Sequence, residues 1–170
     1  MWTNKNKIFY IFYTLTAKWL PESSHLKIAK KFRYFWLKKI IMYAGINVNV
    51  EHGAKFTPEL RIGNNSGVGI NCEMCGPITI GDNVMMGPEV VIYTRNHKHS
   101  KGTPFLQQGY EIVKPVFIED NVWIGRRVMI MPGCKIGKNT VIAAGSIVCD
   151  SFEDGVIIGG VPAKVLKKIQ

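Results

Sequence analysis

Two histidines, His97 and His99, stand in the segment YTRNHKHSKGTPFLQQGYEIVK, and their imidazoles are the side chains here best suited to moving a proton near neutral pH. A neutral imidazole can take the proton of a hydroxyl as that hydroxyl attacks a carbonyl. The other two, His25 and His52, lie outside any comparable context. A second set is cationic. The closing GGVPAKVLKKIQ carries Lys164, Lys167 and Lys168, mobile point charges that suit phosphate, with a solvated charge run as the alternative. The run Cys72-Glu73-Met74-Cys75 has the shape of half a zinc or redox site, but no second CxxC or paired His completes a tetrahedral set. No metal site is expected.

What must position these groups is a period of six. From Val50 an apolar residue recurs at Phe56, Ile62, Val68, Met74, Ile80, Met86 and Ile92, and again at Ile118, Ile124, Ile130, Ile136, Ile142 and Val148. Six fits neither a helix at 3.6 nor a strand at 2. It is the period of a hexapeptide β-helix, in which a short strand and a turn recur and stacked coils bury a continuous column. The residue after the anchor is small or acidic, as at Gly63, Gly81, Glu119 and Gly137. Pairs such as Asp82-Asn83 and Asp120-Asn121 follow, and these residue types tolerate the left-handed backbone of a sharp corner. Ordinary alternating strands in a sandwich give no reason for one register to persist over fourteen anchors. The series breaks for 26 residues between Ile92 and Ile118, and the histidines lie in that break. Excursions from a rigid scaffold commonly carry its site.

Charge divides the chain. The net charge is +10, and residues 1–45 hold nine Lys or Arg against the single Glu22, whereas residues 46–170 hold thirteen against eleven. The basic residues of the first segment are interleaved with Phe, Tyr and Trp rather than clustered, which argues against a nucleic-acid partner. KIFYIFYTLTAKWL reads as a helix that is apolar nearly all round and too short to span a bilayer. No small residues mark a signal-peptide cleavage site. Ser23 and Ser24 are cap candidates for a second helix that places Ile28, Phe32, Phe35, Trp36 and Ile40 towards one side, with Lys27, Lys31, Arg33 and Lys38 elsewhere, and Gly45 as its stop. The segment is expected to cap the open end of the β-helix, to contact an anionic membrane leaflet, or both. The expected layout is a helical segment over 1–45, a β-helix over 46–152 with an excursion at 97–115, and a C-terminal tail over 153–170. The four cysteines read as intracellular and structural, with Cys72 and Cys134 at small inward positions.

The stretches PITIGDNVMMGPEVVIYTRNHKHS and KPVFIEDNVWIGRRVMIMPGCKIGKNTVIAAGSIV, closing with GGVPAKVLKKIQ, resemble the hexapeptide-repeat acyltransferases, in particular the maltose, galactoside and capsular-polysaccharide O-acetyltransferases. The resemblance covers about residues 46–170. It implies a mainly β, left-handed parallel β-helix, an exception to the usual right-handed crossover. It also implies a homotrimer with sites between subunits, and acetyl-CoA as donor. The family's catalytic histidine follows its YT-x-x stretch, which maps to His97; His99 reads better as a solvent-exposed loop histidine. Trp123 in DNVWIG is expected to line the cleft, with Gly125 and the Arg126 amide along the pantetheine arm. Ala144 contacts that arm again, and Cys149 lies towards the adenine. Relatives often carry Ser and Thr where Arg126 and Cys149 stand, so backbone contacts are expected there. Lys164 and Lys167, with Lys168 beside them, would meet the CoA phosphates.

On the acceptor side the family's Asp is missing from SGVGINCEMC, leaving Asn71 and Glu73 as the polar candidates, and Asn71 is equally a corner residue. The function implied is acetyl-CoA-dependent O-acetylation of a sugar hydroxyl of a surface polysaccharide or its precursor, by direct transfer with a histidine base. A cytoplasmic location, at times on the inner membrane face, goes with it. The alternatives are the same chemistry on a xenobiotic such as an antibiotic, or a non-catalytic scaffold. A zinc hydratase of this fold needs three histidines from different coils, whereas His97 and His99 share one loop.

Overall fold

In the computed structural model, which describes residues 2–169, two- and three-residue strands follow one another at six-residue intervals and wind into a parallel β-solenoid with three faces. The first face stacks Tyr43–Ala44, Arg61–Ile62, Ile78–Ile80, Val116–Ile118 and Lys135–Ile136. The second runs from Asn49–Val50 and Gly67–Val68 through Met85–Met86, Trp123–Ile124 and Val141–Ile142 to Val156–Gly160. The third stacks Lys55–Phe56, Glu73–Cys75, Val91–Tyr93, Met129–Ile130 and Ile147–Val148. In each two-residue strand from Asn49–Val50 onward the second side chain is buried and the first is exposed or partly so, which is the pleat acting on a hexad. The anchors thereby form one column from Val50 to Val148.

Register is kept across the break. Tyr43 pairs with Arg61 and Arg61 with Thr79, steps of 18 residues or three hexads. Thr79 then pairs with Phe117 and Phe117 with Lys135. The excursion therefore adds residues at one corner without displacing the ladder. Asn47, Asn65, Asn83, Asn121 and Asn139 hold φ of 55–58° at the first-to-second corner, the left-handed region their side chains tolerate. Asp82 accepts from the Asn64 amide at 2.6 Å and Asp120 from the Asp82 amide at 2.9 Å, which satisfies groups the turn would leave bare. Gly63 must be glycine, since an added Cβ would overlap the Gly81 carbonyl of the next coil.

Helix α1 (Asn4–Phe12), capped by Thr3 and continued by a π-helical turn over Tyr13–Ala17, lies beside α2 (Lys27–Ile40) across the first coil. Tyr13, Ala17, Leu37 and Ile40 join Val48, Val50, Ala54 and Phe56 in one buried cluster. Each such large apolar side chain contributes about 1.5–3 kcal/mol. The Tyr13 hydroxyl donates to the Ala54 carbonyl at 2.9 Å and Tyr34 to Gly45 at 2.7 Å.

The docking of α2 departs from the sequence expectation. Its buried side is Ala29, Arg33, Leu37 and Ile40, while Ile28, Phe32 and Phe35 face out. Arg33 is fully buried. Its guanidinium donates to the carbonyls of Val50, Leu20 and Pro21, to Ser23 Oγ and to Glu51 Oε2 at 3.2 Å. No apolar side chain could satisfy those carbonyls, so an arginine stands where amphipathic reasoning calls for a hydrophobe. The helix starts after Leu26 with no side-chain cap, rather than after Ser23 or Ser24, because Ser23 is committed to Arg33, Asn49 and Glu51. It ends at Ile40, short of Gly45, because Tyr43–Ala44 already pairs as a solenoid strand. The chain leaves the coil with Thr94 and rejoins it at Val116. At the C-terminus Val156–Gly160 adds to the second face and Ala163–Lys168 returns antiparallel to it.

Candidate active site

The excursion leaves the third-to-first corner under tight backbone control. Thr94 Oγ1 donates to the Cys75 carbonyl at 2.8 Å, and the Lys114 amide closes the loop onto the Thr94 carbonyl at 2.7 Å. Beyond that neck the arms pair: Glu111 N donates to Asn96 O at 2.9 Å, Lys98 N to Gly109 O at 3.1 Å, and His97 bridges Tyr110. Short helix α3 (Phe105–Gln108) forms the tip, where Gln108 takes the Ser100 amide and returns bonds to the Ser100 and Thr103 carbonyls.

Tyr110 packs against His97. Its ring centroid lies 4.2 Å from that of His97, and the Arg95 guanidinium sits 3.9 Å over the same ring. His97, Tyr110 and Arg95 line a cavity of about 630 Å³ whose other walls include Tyr93, Cys75, Glu59 and Trp2. Neither imidazole nitrogen of His97 is hydrogen-bonded among the described residues. His99 turns the other way: 76% of its side chain is exposed and its Nδ1 is 3.8 Å from Glu111. Of the two histidines, only His97 lines this cavity.

The donor candidates occupy the second face and its far corner. Trp123 points outward and is about half exposed, next to Met85 in the ladder. Gly125 packs so closely on the coil above that an added Cβ would come within 2.5 Å of the Ala144 nitrogen. At the Asp corners the equivalent amides are bonded, but among the described residues those of Arg126 and Ala144 have no acceptor. Two such donors, one coil apart, suit an extended chain bearing amide carbonyls. The Arg126 side chain is engaged elsewhere, with Glu89 at 2.6 Å, and Arg127 meets the other oxygen at 2.5 Å. Hydrogen bonds from Arg127 and Arg126 hold the Glu89 carboxyl below its usual range. Lys164 and Lys167 stand on Ala163–Lys168, in the same sheet as Trp123, and Lys168 lies 3.7 Å from Glu153.

Three candidates are not gathered with these. Cys149 is exposed and follows the third-face strand Ile147–Val148, at the same corner as the excursion rather than with Ala144. Asn71 is a corner residue with φ of 54°, its amide bonded to the His52 carbonyl at 2.8 Å. Glu73 pairs with Lys55 at 3.3 Å beside the cavity, whereas its neighbour Cys75 lines it. Sequence reasoning missed Tyr110, Arg95, Glu59 and Trp2, since their convergence depends on the pairing of the loop arms and the docking of α1. The aromatic Tyr110 in the return arm was the one available signal.

The cysteines divide by burial. Burial, with a smaller contribution from Glu73 at Cys75, pushes the thiols of Cys72, Cys75 and Cys134 up to about 11. Cys72 Sγ donates to the Gly87 carbonyl inside the coil. Iodoacetamide at pH 8 should therefore label Cys149 first, with the other three at least tenfold slower. Peptide mass spectrometry over a time course checks this, and equal labelling of Cys75 would refute it. Among the described residues no group of three or more His, Cys, Asp and Glu is arranged to hold a metal ion.

Comparisons with known proteins agree with this architecture. Residues 59–93 match a family model described as hexapeptide repeat of succinyl-transferase, and residues 115–150 one described as bacterial transferase hexapeptide (six repeats). A galactoside O-acetyltransferase of Lactococcus lactis is 44% identical over 92 residues, covering 54% of this chain and 44% of that protein. The chain thus spans about half the length of the first curated relatives it matches. Over nearly the whole chain, the crystal structure of a hexapeptide-repeat acetyltransferase from Vibrio cholerae aligns with a TM-score of 0.82 and 30% identity, covering 97% of this chain and 90% of that one. The same relative has been solved with acetyl coenzyme A. A maltose O-acetyltransferase from Clostridium difficile aligns with a TM-score of 0.81 and 31% identity, over 98% and 87%. With the hexad register, the excursion and these alignments agreeing along its length, the chain belongs to the hexapeptide-repeat acetyltransferase family.

Proposed function

We propose that this protein transfers an acetyl group from acetyl-CoA to a hydroxyl of a carbohydrate acceptor, with His97 as general base. The acceptor hydroxyl enters the cavity against His97, which takes its proton as the oxygen attacks the thioester carbonyl. The new C–O ester bond forms as the C–S bond breaks, and the proton passes on to the departing CoA sulfur. Trp123, Gly125 and the amides of Arg126 and Ala144 hold the pantetheine arm, and one of those amides faces the developing oxyanion. Lys164 and Lys167 meet the phosphates.

The observation that carries this reading is a separation. His97 stands at the third-to-first corner, and the two bare amides stand at the second-to-third corner of the same prism. One chain supplies a base and a donor cradle that do not meet, so a neighbouring copy brings them together in a homotrimer. Met85 and Trp123 on the second face and Phe117 on the first are each about half exposed, which suits flat faces that pack on copies. The relatives named for galactoside and maltose point to a sugar hydroxyl. The acceptor we assign is a surface polysaccharide or its lipid-linked precursor, supported by the basic, aromatic N-terminal helices, which suit cytoplasmic work beside a membrane.

Subunit mixing tests the shared site. His97→Ala and Ala144→Trp each leave one half intact, so either pure protein should be nearly inactive. Refolding them together at equal ratio should regenerate about a quarter of the wild-type activity, because each site draws on two randomly chosen chains. No recovery in mixed assemblies, or full activity in a strictly monomeric preparation, would overturn the interfacial site.

A further inference from the structure

The α1–α2 pair buries one face on the first coil and leaves the opposite face both apolar and bare. Ile8, Ile11, Phe12, Leu15 and Trp19 recur at helical spacing on the outer side of α1 and its continuation, each 48–74% exposed. Ile28, Phe32 and Phe35 form the matching stripe on α2. Ring contacts join the two stripes into one patch: Phe12 stacks on Trp36 at 5.6 Å and 8°, and Phe32 and Phe35 meet the same indole edge-on. Isolated exposed hydrophobes need no explanation, but a contiguous aromatic patch of this kind does.

The rim of the patch is cationic. Lys39 lies 4.8 Å from the Phe35 ring and 5.5 Å from Phe9, and Lys5 lies 6.0 Å from Phe9. Residues 1–45 contribute nine Lys or Arg against one acid. Among the described residues, the ion pairing of these nine is confined to the buried Arg33 with Glu51. The surface charge is therefore uncompensated.

We propose that this face is a docking surface for an anionic lipid bilayer. Aromatic and aliphatic side chains would enter the interface while the surrounding lysines meet acidic headgroups. A second copy of the same face is disfavoured because it would bring two strongly positive rims together. Spanning is excluded by size: Asn4–Ala17 rises about 21 Å, short of the roughly 30 Å hydrocarbon layer, and its other side is fixed to the first coil. Among the described residues no helix is long and apolar enough to cross a membrane. The patch caps the end of the solenoid, so a trimer axis along the solenoid would set three of them in one plane and add avidity.

Co-sedimentation of the full chain with vesicles provides the test. On phosphatidylcholine containing one-quarter phosphatidylglycerol at low salt most of the protein should pellet. About tenfold less should bind to pure phosphatidylcholine, and likewise at 0.5 M salt, where the Debye length falls to a few ångström. The triple variant Ile8→Ser/Ile11→Ser/Leu15→Ser alters only exposed side chains and should bind about tenfold more weakly at unchanged melting temperature. Lys31→Glu/Lys38→Glu/Lys39→Glu should abolish binding. No pelleting at low salt, wild-type binding by both variants, or self-association through this face in place of vesicle binding would overturn the proposal. Vesicle binding by a protein that acetylates neither soluble nor lipid-linked sugars would leave the surface standing and count against the chemistry at His97 instead.

Discussion

Replacing His97 with alanine is expected to lower kcat for acetyl transfer about 100-fold or more, the usual scale for loss of a general base. Binding of acetyl-CoA should be retained, because Arg126, Ala144 and the hairpin lysines lie on other elements and none of them lines the His97 cavity. Titration calorimetry with acetyl-CoA alongside steady-state kinetics separates the two effects. The His99→Ala variant should change little, since that ring is solvated and meets only Glu111 and the His97 carbonyl, not the His97 imidazole. A dead His99 variant beside an active His97 variant would reverse the assignment. A His97 variant that loses acetyl-CoA binding would show that the residue acts on the donor and not on the acceptor proton.

Removing Arg33 should be the most damaging single change to stability. Arg33→Ala is expected to cost about 3–5 kcal/mol, the range found when one partner of a buried, hydrogen-bonded ion pair is deleted. The loss has two sources. The carbonyls of Pro21 and Val50 would lose their side-chain donor, Leu20 would keep only the His52 ring, and Glu51 would lose its cation. Urea midpoints of the wild type and the variant measure the difference, and a change below about 1 kcal/mol would disprove the role. The same network sets an acid limit. Burial raises the Glu51 carboxyl, but bonds from the Ser23 amide, Asn49 and the Ser23 hydroxyl, with Arg33 nearby, outweigh it and leave a net depression below 4.5. A group depressed on folding stabilises above its unfolded pKa and loses that contribution as pH falls through the folded value. Stability should therefore decline below about pH 4.5 in the wild type, and decline less steeply in the Arg33 variant.

The N-terminal helices mark the limit of what a pattern can supply. Their existence, brevity and basic aromatic character are readable from composition and from Pro21. Which side of α2 faces the coil was not, because the stripe Ile28, Phe32, Phe35 looks like a core stripe and Arg33 looks like a solvated charge. The first coil reversed both, since its end presents carbonyl oxygens that need a donor as well as apolar surface that needs covering. Tyr110 taught the same lesson at the site. It sits thirteen residues from His97 with no periodic relation to it, and only the pairing of the loop arms brings the rings to 4.2 Å.

The sequence by itself determined the solenoid: its register, its corners, the small inward positions and the place where the coil opens. Those features repeat every six residues, so each is constrained by its own hexad and by the identical demand of the coil stacked on it. The tertiary structure alone decided the buried face of the helices, the walls of the His97 cavity, and the separation of His97 from the unbonded amides of Arg126 and Ala144 on different corners of the prism. These depend on single contacts between segments distant in sequence, where one arginine or one tyrosine settles the packing and no repetition announces it.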